Sequence, residues 1–189
     1  MFEQIGQLLI QSVFGLVIYI ALLRLWMHLA RAPFRNPVGQ AVTAFTDWAV
    51  LPLRRLLPPF RNFDIASLVL ALVAQGLMLT LLFWISSAGR GWPSSWIGAF
   101  FMVALMDVLR AALHIVMFVV IVHVVMGWMN PYNPLSPAFD ALTRPLYNVF
   151  RRFVPQIGNI DLSPLFVLLV VQIGLIVLDN LPRLLVGAG

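Results

Sequence analysis

The sequence predicts an all-α polytopic membrane protein: four transmembrane helices set as two tandem helical hairpins, each with an amphipathic loop helix at the membrane interface. Three observations predict it. Of 189 residues, 61% are hydrophobic and only 10% charged, whereas a soluble domain carries about a quarter charged residues. Four apolar runs are long enough to cross a bilayer, which takes about 20 helical residues. A set of polar residues then recurs at one fixed offset, so the chain reads as one unit written twice.

The first apolar run extends from about Ile5 to Ala30, interrupted by Gln11 and Arg24. Arg24 lies near its end, where a long side chain is expected to snorkel to the headgroups. Met1-Phe2-Glu3-Gln4 offers no basic region and no small-residue cleavage site follows, so this run is expected to be a retained helix rather than a signal peptide. The second run, from about Ile65 to Ile85, holds one strongly polar residue, Gln75. The third, from about Ser95 to Met129, is too long for one simple span. Its part from Trp96 to Arg110 contains Asp107 and Arg110 and is expected to project from the bilayer or lie on it, leaving Ala111 to Met129 as the crossing. The fourth runs from about Leu162 to Leu178 and is expected to close at Asp179-Asn180-Leu181-Pro182-Arg183. None of these runs alternates with period two, and a helix satisfies every backbone N–H and C=O within one segment.

A shift of 97 residues superposes Asn36-Pro37 on Asn133-Pro134, Thr46 on Thr143, Arg54-Arg55 on Arg151-Arg152, Pro58 on Pro155, Asn62 on Asn159, Asp64 on Asp161 and Gln75 on Gln172. Over residues 36 to 75, 14 of 40 positions are identical. Apolar matches between membrane segments arise easily, but a paired arginine, an Asn-x-Asp and an intramembrane glutamine at one offset do not. The repeats are placed at 1–92 and 93–189. Each holds an even number of crossings, so both should insert the same way, related by a pseudo-two-fold axis along the membrane normal.

The run from Asn133-Pro134 through Thr143, Arg151-Arg152, Pro155, Gly158, Asp161 and Ser163-Pro164 to Gln172 resembles the YggT family of bacterial and plastid membrane proteins. The first copy is more divergent, with Arg61 for Gly158 and Ala66-Ser67 for Ser163-Pro164. The resemblance implies links to osmotic stress and ion uptake, to cell division or envelope organisation, and in plastids to cytochrome cofactor assembly.

Each repeated residue has an expected role. Asn36-Pro37 and Asn133-Pro134 suit helix starts. Behind them Val38, Ala41, Val42, Phe45, Trp48 and Ala49, and in the second copy Leu135, Ala138, Phe139, Leu142, Leu146, Val149 and Phe150, recur at helical spacing. Thr43, Thr46 and Asp47, like Asp140, Thr143 and Arg144, take the opposite face. Pro52 and Pro145 are expected to break each loop helix in two. Asp64 and Asp161 are placed to cap the following helix and to pair with the arginines. Gln75 and Gln172 lie 11 residues further on, about 16 Å along a helix and hence near mid-membrane. Both are expected to face the interior. Asp107, Arg110 and His114 share one helix face, and the first copy has Ile10, Val13 and Val17 there.

All twelve non-histidine basic residues are arginine. Eight of them lie in the segments 31–62 and 130–159, so these loops are expected in the cytoplasm, with both termini outside the bacterial inner membrane. The formal charge of +5 therefore reads as anchoring, not nucleic-acid binding. No cysteine is present, which removes disulfides and thiolate chemistry. His114 and His123, nine apart, do not make a ligand pair. There is no phosphate loop, HExxH or nucleophile elbow, so neither an enzyme nor a bound cofactor or metal is expected. The expected function is a scaffold or organising protein of the inner membrane. Its expected partners are the lipid bilayer, further copies of the chain or other membrane proteins. An oligomeric ion or small-solute transport component, and a haem-assembly factor presenting a histidine, are the alternatives.

Overall fold

A computed structural model describes residues 2–58, 63–86, 96–129, 133–152 and 161–186, with side chains omitted at 96–97 and 182–186. The elements are α1 (Phe2–Leu29), α2 (Pro37–Leu56), α3 (Ile65–Ser86), α4 (Trp96–Met129), α5 (Ser136–Phe150) and α6 (Ser163–Val186). Helices α1, α3, α4 and α6 are long and apolar enough to cross a membrane. The protein is thus an all-helical multi-pass membrane protein, with α2 and α5 between successive spans.

Three expected boundaries differ. The third apolar run is one unbroken 34-residue helix, about 51 Å long at 1.5 Å per residue. It does not break at Arg110, because Asp107 and Arg110 neutralise each other along its side at 2.6 Å and no proline interrupts it. The fourth helix does not close at Asp179; it continues to Val186. Asn180 donates its side-chain amide to the Ile176 carbonyl one turn back, at 2.8 Å. Pro52 and Pro145 lie inside α2 and α5 without splitting them, each removing only one backbone donor.

Residues 1–25 and 42–111 form one compact unit; residues 26–41 and 112–189 form another. The buried apolar residues of the first include Ala21, Ala49, Ala66, Ala71, Ala74, Ala104 and Ala111. Small side chains let membrane helices approach closely where no hydrophobic drive acts between them. The second is built on larger side chains: Val116, Val120, Tyr147, Val167 and Val171 form its core cluster, with Trp26, Leu113 and Leu168 packed on it. The Trp26 indole N–H donates to the Leu142 carbonyl at 3.2 Å, tying the end of α1 to α5 within that unit.

Helix α1 stops abruptly. The Ala32 amide donates to the Met27 carbonyl (2.9 Å) and the Arg31 amide to the His28 carbonyl (3.2 Å), with Arg31 at φ 53°. That is a Schellman closure with arginine in the left-handed position glycine usually fills. Helix α2 then starts as expected: Asn36 accepts from the Gly39 amide at 2.9 Å. A Cβ at Gly39 would sit 2.5 Å from the Phe34 carbonyl oxygen, so the turn needs glycine there. The second copy has Ser136 in its place, and its helix begins later. Asn133 accepts from the Leu135 amide (2.9 Å), an Asx turn ahead of the helix, and Pro134 stays outside it.

Candidate functional site

The first unit is organised around a buried ionic cluster. Arg24, from α1, is 3% exposed. One terminal nitrogen donates to the Thr46 hydroxyl (2.6 Å) and to Asp47 Oδ1 (2.7 Å), both on α2. Arg24 Nε lies 3.7 Å from Asp64 Oδ2 and has no hydrogen-bond acceptor. Asp64, fully buried, receives Arg54 Nη2 at 2.7 Å and Nε at 3.3 Å. It also receives the Ser67 hydroxyl at 2.6 Å, and its carbonyl accepts the Leu68 amide at the start of α3. Arg24, Arg54, Asp47 and Asp64 sum to zero charge, the condition under which ions can sit away from water. Arg24 therefore does not snorkel.

This cluster draws part of the polar face of α2 inward. Thr46 is buried beside Val42, Ala49 and Val50, its hydroxyl donating back to the Val42 carbonyl (2.6 Å), and the partly exposed Asp47 meets Arg24. Phe45 and Trp48, expected on the inner face, are 60% and 69% exposed, and Leu51 and Leu56 lie outside with them. Helix α5 buries the corresponding Phe139, Thr143 and Tyr147, and adds Ala138 and Leu142 where α2 leaves Ala41 and Phe45 exposed; Asp140, Arg144, Arg151 and Arg152 are exposed. No arginine corresponds to Arg24 in the second copy, where Ile121 stands.

Deeper in the first unit, the Gln75 amide donates to Asp107 Oδ2 (2.9 Å), and Arg110 donates to Asp107 Oδ1 (2.6 Å). Gln75 is buried, as expected of a mid-membrane amide. Gln172 is not: it is exposed on α6. His114 lies further along α4, in the second unit.

In the second unit, Arg151 donates through Nε (3.0 Å) and Nη2 (2.6 Å) to Asp161 Oδ2, and Asp161 Oδ1 accepts the Ser163 amide at 2.9 Å. The arginine–aspartate pair thus recurs at the same offset, but here it is partly exposed, with Arg151 at 47% and Asp161 at 27%. Burial pushes the Asp161 carboxyl up; hydrogen bonds from Ser163 and Arg151 outweigh it and hold the pKa below the usual value. His123, on α4, joins Asp140 Oδ1 at 2.7 Å through Nε2 and the Tyr147 hydroxyl at 3.1 Å through Nδ1. Tyr147 is pushed up to about 12, chiefly by burial, against an opposing hydrogen bond with Thr143. The Arg151 guanidinium lies 5.9 Å from the Tyr147 ring centroid.

Two features escaped the sequence reading. Arg24 was visible only as a lone arginine, though two acids on the following segment could have named its partners. The His123–Asp140–Tyr147 set left no trace in the repeat, because the first copy has Trp26, Thr43 and Val50 there. Arg55 and Arg152 are exposed. Asn62 and Asn159 lie outside the described residues.

A model of the family described as CCB3/YggT matches residues 4–85 and again residues 102–182. An uncharacterized protein of Pseudomonas aeruginosa is 33% identical over 176 residues, covering 92% of this chain and 88% of that protein. An uncharacterized protein from the proC 3′ region of Vibrio alginolyticus is 32% identical over 165 residues, 87% and 88% of the two chains. The Escherichia coli K12 protein YggT is 30% identical over 166 residues, 87% and 84%. No solved structure matches the chain.

Proposed function

Since this chain belongs to the CCB3/YggT family, we propose that it is an organising protein of the bacterial inner membrane, acting on lipids and neighbouring membrane proteins through its loop helices. Under this reading both loops lie on the cytoplasmic side, where arginine-rich loops are retained, and the role bears on osmotic or envelope stress or cell division. The observation that carries it is the exposed apolar face of α2. A helix between two spans presents Phe45, Trp48, Leu51 and Leu56 outward, 53–79% exposed, beside the exposed Arg55. An aromatic face next to arginine suits the headgroup level or the flank of another membrane protein. The polar groups of the spans support the same reading: Arg24, Gln75, Asp107 and Arg110 bond within their unit, as structural groups do.

A photoreactive residue at Trp48, in native membranes, tests this directly. Adducts to lipid and to a small recurrent set of membrane proteins are expected, and a control at the buried Val50 should give none. No adduct from Trp48 would remove the proposal. Ion flux into liposomes that disappears in Asp107→Asn would replace it with transport, the reading favoured by the partial exposure of the Asp107–Arg110 pair, 27% and 31%. Both ring nitrogens of His123 are engaged, so presenting it to haem would require breaking one of those bonds.

A further inference from the structure

The second unit contains an open-sided groove of about 680 Å³, within the size range of small-ligand sites. Its walls are apolar side chains from the end of α4 and the start of α6, among them Val124, Trp128, Leu165 and Leu168. Its polar end is formed by His123, Tyr147, Arg151 and Asp161. Both helix ends lie at the limits of membrane spans, and Trp128 is 83% exposed there, at the depth tryptophan favours.

We propose that this groove binds one anionic phospholipid, its phosphate at Arg151 and an acyl chain lying between α4 and α6 beside Trp128. Two features select that occupant. The long apolar wall with a single polar end matches an amphiphile rather than a free ion. The charge around this end of α5 is positive: Arg144, Arg151 and Arg152 outnumber Asp140 and Asp161 by one, and Arg152 borders a second hollow of about 310 Å³ with Pro145, Asn148 and Val149. Both oxygens of Asp161 are engaged, by Arg151 and the Ser163 amide. The Arg151–Asp161 bonds use Nε and Nη2, which leaves Nη1 to donate to a phosphate in a charge-assisted hydrogen bond. The guanidinium also lies over the Tyr147 ring, 5.9 Å from its centroid. The site rests on the reading that the loop of α5 lies at headgroup level.

The test uses the purified full-length protein in mixed micelles holding equal amounts of phosphatidylglycerol and phosphatidylcholine with identical chains, read by native mass spectrometry. One phosphatidylglycerol should be retained in preference to phosphatidylcholine. Leu168→Trp fills the groove and should abolish that retention, while Leu169→Trp, on the exposed side of the same turn, should leave it intact. Arg152→Gln should weaken it about fivefold, the effect of about one basic side chain near an anionic lipid. Excess inorganic phosphate should not displace the lipid. Equal retention of the two lipids, retention that survives Leu168→Trp in a sample of unchanged helicity, or displacement by phosphate would each overturn the site. Photoadducts at Trp48 report the organising role separately, so the site can fail while that role stands, and the reverse.

Discussion

Asp64→Asn and Asp161→Asn make one perturbation in two environments. Both remove a carboxylate that accepts two arginine bonds just before a membrane helix. Asp64 is fully buried and also faces Arg24, itself 3% exposed, at 3.7 Å. Its neutralisation leaves Arg24 and Arg54 opposite Asp47 alone, one net positive charge around the buried Arg24. Breaking a buried pair in this way costs about 3–5 kcal/mol. At Asp161 the pair is partly exposed, 47% and 27%, and such pairs contribute about 0–1 kcal/mol. Asparagine can still accept the Ser163 amide as a cap, with little further loss. The two substitutions should therefore differ by about 2–5 kcal/mol. Reversible unfolding in mixed detergent–SDS micelles, followed by far-ultraviolet circular dichroism, measures both. Equal costs at the two positions would refute the assignment of a buried ionic centre to the first copy alone.

Gln75→Leu should lose about 0.6–2 kcal/mol in the same assay, as Asp107 loses a donor, whereas Gln172→Leu, on an exposed face, should cost nothing measurable. Arg31→Gly should stabilise by about 1 kcal/mol or less by relieving the left-handed residue at the end of α1, seen as a shift of the midpoint to higher SDS. The lowered pKa of Asp161 means that its stabilisation is complete above the unfolded value of about 3.9 and is lost as pH falls through the lower folded value; unfolding midpoints taken between pH 2 and 6 should show this loss in the native chain and not in Asp161→Asn. Tyr147, held at about 12, should stay protonated when the unfolded phenol ionises near 10, so stability falls as pH rises between those values; the 295 nm absorbance change of the native chain should lose its late step in Tyr147→Phe.

The spans were legible because crossing a bilayer leaves a signal that no local detail can mask: about 20 apolar residues in a row. Their ends were less so. Asp179 to Arg183 resembles a helix stop, yet the helix runs on to Val186. The arginine–aspartate pairs could be foreseen because the repeat placed each arginine and its acid at the same spacing twice. What the repeat could not show is that only the first copy adds Arg24. That one residue binds Thr46 and Asp47 from α1. Periodicity sorts a helix into two faces, but it does not say which large apolar side chains, such as Phe45 and Trp48, are left outside the bundle. The same limit applies to the glutamines, whose shared offset conceals that only Gln75 has an aspartate within reach.

A chain without cysteine allows single cysteines to be placed in turn at the exposed Arg55 and Arg152 and labelled in intact cells and in inverted membrane vesicles with an impermeant maleimide. If two hairpins of one kind insert the same way, both positions react in inverted vesicles and neither reacts in intact cells. Labelling of the two from opposite faces of the membrane would contradict the tandem architecture itself.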